Sequence, residues 1–132
     1  MDAAKKIYDF LDDAKTYYLA TVEGDQPRVR PYGSTLFHEG KIFIMAWDAT
    51  NATRQLTENP KAEICAFKGL TLRIECKLVE DKRQELKDML VEKMPALKGM
   101  LGENNGKAVM YQLADATATF YKIMELVETL TF

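Results

Sequence analysis

The residues best suited to chemistry lie between Gln26 and Pro60. Arg28 and Arg30 occupy alternate positions of the run Gln26-Pro-Arg-Val-Arg-Pro-Tyr-Gly33, so in a strand both side chains point to one face. Trp47 and Asp48 end a second apolar run, and Thr50, Asn51, Thr53 and Arg54 open the polar helical segment behind it. A helix start offers free N–H groups and positive dipole, and an arginine adds a charge-assisted pair. A basic strand, an aromatic strand end and a hydroxyl-rich helix start together suit a ligand with a flat ring and a phosphate.

Positioning these groups falls to elements that the pattern predicts in turn. Ile7, Phe10, Leu11 and Ala14 follow helical spacing and predict an amphipathic helix over Ala3–Ala14. Tyr17–Glu23 reads as a strand stopped by Gly24-Asp25, and Pro27–Phe37 as the next, with Gly33 a bulge or a close approach. His38-Glu-Gly-Lys41 turns the chain into strand Ile42–Trp47. The helix that follows is capped by Asn51 or Asp48 and stopped by Asn59-Pro60. Lys61–Phe67 and Thr71–Val79 form a hairpin about Gly69, and Asp81 caps a helix to about Met94. Pro95 and Gly102 punctuate a short helical piece, Gly102–Gly106 is a polar loop, and Val109–Leu113 and Ala118–Ile123 are strands, with a further one expected in the tail to Phe132. Short strands joined mostly by hairpins, without βαβ alternation, point to a mainly β fold, an antiparallel barrel with flanking helices.

At 132 residues the chain has the size of one domain, and 47% hydrophobic with 29% charged residues is a globular composition. A net charge of −2 with the signs interspersed gives no electrostatic case for nucleic acid or an anionic membrane. No apolar run approaches the roughly 20 residues that span a bilayer, and the N-terminal stretch lacks the apolar core of a signal peptide, so a cytoplasmic protein is expected.

Other chemistries find little support. Cys65 and Cys76 lack metal-ligand spacing and read as half-buried thiols. The single histidine, His38, falls in a hairpin turn beside Glu39, where nothing pairs it with a nucleophile. There is no glycine-rich phosphate loop and no carboxylate pair that stands apart from solvated helix faces. Catalytic residues stay unassigned.

Tyr18-Leu-Ala-Thr-Val22, Pro27-Arg-Val-Arg-Pro-Tyr-Gly33, Gly40-Lys-Ile-Phe-Ile44, Gln55-Leu-Thr-Glu-Asn-Pro-Lys-Ala-Glu-Ile-Cys65 and Leu72-Arg-Ile74 together resemble the FMN-binding split-barrel family, the small proteins related to pyridoxamine 5′-phosphate oxidase. The resemblance runs from about Tyr17 to Tyr121 in the family's order of elements. It implies a split β-barrel of mostly antiparallel strands, one domain over residues 1–132, with FMN as cofactor. It places Arg28, Val29, Arg30 and Pro31 beside FMN, with Trp47, Asp48, Thr50, Asn51, Thr53 and Arg54 completing the cofactor site. Many members carry Ser-Arg-Lys at the helix start; here the aligned residues are Thr50, Asn51 and Ala52, and Arg54 stands in for the missing lysine with Arg28 opposite it. The resemblance also implies a homodimer with flavin across the interface, so that residues near Arg73 approach the partner's cofactor, and open sheet edges argue the same way. The function implied is a flavin-dependent oxidoreductase with a small-molecule substrate or electron donor. It is not expected to be pyridoxamine 5′-phosphate oxidase itself, because the tail Glu125–Phe132 brings no arginine for a phosphorylated substrate. A non-catalytic flavin carrier and a dimeric module with a decayed site are the alternatives.

Overall fold

The computed structural model describes residues 2–132, in which eight strands and three helices are laid out along the chain. Helix α1 (Ala3–Ala14) follows from its stripe: Ile7 and Leu11, one turn apart, are fully buried, and Phe10 meets Phe120 edge-on with ring centroids 5.2 Å apart. Asp2 caps it, its carboxylate accepting from the Ala4 N–H at 3.1 Å.

Strands β1 (Tyr17–Glu23) and β2 (Gln26–Tyr32) pair antiparallel about Gly24. The expected single strand Pro27–Phe37 is two strands. β2 stops at Tyr32, and β3 (Leu36–His38) pairs instead with β4 (Lys41–Trp47). With β5 (Lys61–Lys68), β6 (Leu70–Glu80) and β7 (Ala108–Lys122) between, β2 and β3 stand at opposite ends of the sheet order β2-β1-β5-β6-β7-β4-β3. Three residues, Gly33 to Thr35, therefore cross from one edge to the other. That short crossing forces the sheet to curl until its edges approach, yet no pairing joins them, so the barrel is rolled but split. Side chains fasten the crossing. The Tyr17 hydroxyl donates to the Ser34 carbonyl at 2.7 Å, and Ser34 Oγ both accepts from the Met45 N–H and donates to the Met45 carbonyl, at 3.0 and 3.1 Å. A serine side chain here replaces a rung of the missing ladder.

β4 is buried on both faces, which explains its unbroken apolar run. Ile42, Ile44 and Ala46 join the main core with α1, and Phe43 and Met45 pack in a second cluster with Leu86 and Leu90 of α3 (Gln84–Lys93). α3 begins later than expected: Asp81 caps nothing and instead holds the Arg83 guanidinium, with Arg83 at the cap position. β5 (Lys61–Lys68) and β6 (Leu70–Glu80) turn tightly at Gly69, whose φ of +76° suits glycine. The two strands expected over Val109–Leu113 and Ala118–Ile123 are one, β7 (Ala108–Lys122); the polar step at Asp115 is absorbed as a bulge, in which Asp115 and Ala116 together stand opposite Cys76. β8 (Glu125–Thr131) lies along its second half. Both cysteines are free, and burial pushes the Cys76 thiol up to about 12. No helix among the described residues is long and apolar enough to cross a membrane, and none of their side chains cluster as a metal site.

Candidate functional site

Helix α2 (Asn51–Glu58) sits where β4 leaves the sheet, against β1. Its cap is Thr50, not Asn51 or Asp48: Thr50 Oγ1 accepts from the Thr53 N–H at 3.5 Å, and Thr53 Oγ1 accepts from the Thr50 N–H at 3.1 Å. Two threonines thus build a reciprocal cap that neither Asn51 nor Asp48 makes, because the Thr50 and Thr53 N–H groups each find the other's hydroxyl across three residues. Thr50 Oγ1 also donates to the Trp47 carbonyl at 2.7 Å, which seats the helix on the end of β4.

The register of β2 on β1 sets Arg28 and Arg30 opposite Thr21 and Leu19, on the same face. Their fates differ. Arg30 turns into the space under α2, donating to Thr21 Oγ1 at 2.7 Å, to Gln55 Oε1 at 2.9 Å and to the Leu19 carbonyl at 3.3 Å. Thr21 and Gln55 are buried and bonded to each other at 2.6 Å, so Arg30 braces the helix against the sheet. Arg28 reaches solvent beside the last residue of β1: its Nε and Nη2 donate to Glu23 Oε1 at 3.1 and 2.8 Å. From α2, Arg54 donates to the other oxygen, Glu23 Oε2, at 2.8 Å, and its second arm donates to Asn51 Oδ1 at 2.8 Å. Hydrogen bonds from Arg28 and then Arg54 hold the Glu23 carboxyl below the usual range.

On the other flank of Arg54 lies a cleft of about 400 Å³. Asp48, Thr50, Thr53 and Thr57 line it from the helix side, and Glu80 and Tyr111 from β6 and β7. Burial, and then the Glu80 carboxylate, push the Tyr111 hydroxyl up to about 12, so it stays a donor at neutral pH. The structure thus brings Arg28, Asp48, Thr50, Asn51, Thr53 and Arg54 around the start of α2. It does not bring Trp47, which packs on the second apolar cluster beside α3. Val29 and Pro31 face the outer side of the sheet, where Val29 is 69% exposed. Ala52, at the position aligned with the lysine of Ser-Arg-Lys, is buried.

With this arrangement in place, the comparison with known families is decisive: the profile described as pyridoxamine 5′-phosphate oxidase matches residues 3–118. The chain belongs to the pyridoxamine 5′-phosphate oxidase family. Among solved structures it is similar to a NimC/NimA family protein from Clostridium acetobutylicum, with 33% identity over 98% of this chain and 93% of that one and a TM-score of 0.90. The fold is shared with General Stress Protein 26 from Bacillus anthracis, at 16% identity, 100% of both chains and a TM-score of 0.77. A FAD-binding protein from Mesorhizobium loti shares it too, at 12% identity over 88% of this chain and 93% of that one, with a TM-score of 0.65. Nothing among curated protein sequences matches the chain.

Besides Thr57, one turn along α2 from Thr53, three residues of the candidate site escaped the sequence reading. Glu23 is one, although its place at the end of a hairpin strand, five residues before Arg28, is the signal that could have found it. Glu80 and Tyr111 are the others; they arrive from strands remote in sequence, and no local pattern marks them.

Proposed function

We propose that this family member binds FMN at the start of α2 and works as a flavin-dependent oxidoreductase built as a homodimer. The observation that carries the reading is the convergence of Arg28 and Arg54, from two different elements, on a single carboxylate. Two guanidinium groups beside a helix N-terminus form a donor set that fits a terminal phosphate. Arg28 and Arg54 would hold that phosphate, and the Asp48 and Glu80 carboxylates would accept from the hydroxyls of the ribityl chain while repelling a second anion. Arg30 keeps α2 in place and is already engaged, so it is a brace in this reading and not a phosphate ligand. Bound FMN would supply the electron chemistry, and the protein its anchoring and orientation.

A second copy would cover the outer side of the sheet. There Tyr18, Val29 and Phe67 are 50%, 69% and 70% exposed, with Pro27, Pro31 and Cys65 among them, and β2 leaves an unpaired edge. An apolar sheet face beside a free edge is the kind of surface that association removes from water. The visible spectrum of the purified protein, followed by titration with FMN, tests the reading. Bound flavin with saturable affinity is the expected result, and failure to bind added FMN at micromolar concentration would overturn it. Turnover with a nicotinamide donor and an acceptor then separates an enzyme from an electron carrier.

A further inference from the structure

Glu23 ends β1, Arg28 belongs to β2 and Arg54 to α2, so three elements meet at one carboxylate. Each carboxylate oxygen serves one arginine: Oε1 takes Nε and Nη2 of Arg28, and Oε2 takes Nη2 of Arg54. The clamp is thus already filled by an anion that the chain itself supplies. Glu23 also has a way out. Its side chain is 40% exposed, so it can swing into water without stranding a buried charge.

We propose that Glu23 is an internal competitor for the Arg28–Arg54 clamp, displaced by a phosphomonoester dianion, and that it sets the preference of this site for dianions over monoanions. The inference rests on the reading of these arginines as the phosphate site. A tethered carboxylate acts at high effective concentration, so an incoming anion of equal charge gains nothing by replacing it. A phosphomonoester carries close to two negative charges at neutral pH and three acceptor oxygens, so it satisfies both guanidinium groups together. The effect is selectivity by exclusion: monoanions meet an occupied clamp, and dianions overcome it.

The test uses the full chain and two probes of one shape, phenyl phosphate and phenyl sulfate, the first a dianion and the second a monoanion. Their affinities are measured by calorimetric titration at pH 8 for the parent, Glu23→Gln and Arg54→Ala. The expected result is that Glu23→Gln tightens phenyl phosphate by about tenfold and raises phenyl sulfate binding by a larger factor, so that discrimination narrows. An unchanged or weaker affinity of Glu23→Gln for phenyl phosphate, in a protein that binds it and loses it with Arg54→Ala, would show Glu23 to be a brace for the arginines and overturn this proposal alone. If neither the parent nor Glu23→Gln binds phenyl phosphate, the clamp is no anion site, and the proposal falls together with the reading it rests on. A melting temperature for Glu23→Gln matching the parent's confirms that the comparison is between folded proteins.

Discussion

Replacing Arg54 with alanine separates phosphate recognition from every other property of the site. Arg54 is half exposed, its side chain 52% accessible, and its two arms hold Glu23 and Asn51 at 2.8 Å each. A hydrogen bond to a charged group contributes about 1.5–3 kcal/mol net, and solvent screening at a half-exposed site cuts this to about 1–2 kcal/mol. Because a phosphate must first displace Glu23, the lower half of that range is the appropriate expectation. Loss of FMN affinity by about five- to tenfold follows, since about 1.4 kcal/mol is a factor of ten. Riboflavin lacks the phosphate, so its affinity should be the same for variant and parent. Fluorescence quenching with both flavins and both proteins measures the four constants. The melting temperature should hardly move, because exposed ion pairs contribute little to stability. Equal losses for FMN and riboflavin would mean that the substitution disturbs the fold and not the phosphate. No loss for either would place the phosphate away from α2, and the reasoning would be wrong.

Three further outcomes are expected. Val29→Glu puts a charge in the middle of the exposed apolar sheet face and should convert a dimer to a monomer in sedimentation at micromolar concentration, while far-UV circular dichroism stays unchanged. Phe43→Ala empties a fully buried position between β4 and α3 and should cost about 3–5 kcal/mol in urea unfolding. Asp12 is held below the usual carboxylate range chiefly by the hydrogen bond from Lys93, so it adds stability that is present above the unfolded-state pKa and is lost as pH falls through the folded one. Lys93→Met should therefore flatten the loss of stability measured below about pH 4, the ordinary aspartate range; an unchanged slope there would show the pair to be inert.

The sequence determined on its own whatever depends on neighbours a few residues apart. The stripe of Ile7 and Leu11 drew α1 with its observed bounds, Gly40 and Gly69 marked hairpins that form where expected, and the alternation of Arg28 and Arg30 put both on one face. The ordered motifs also carried the split-barrel family, because a fold's elements and their spacing are written along the chain. Only the tertiary structure decided which side chains meet. Pro27–Phe37 is uniformly strand-like, and it breaks at Gly33 because its two halves find partners at opposite ends of a curled sheet. Trp47 ends β4 as expected, yet its side chain packs on the second apolar cluster, because a strand sandwiched between two layers must bury both faces. Arg28 and Arg30 look equivalent in sequence; Gln55, twenty-five residues from Arg30, draws one inward, and Glu23 holds the other at the surface with Arg54 thirty-one residues away. Periodicity reports which face a residue takes, and burial and charge from distant segments determine what it touches there.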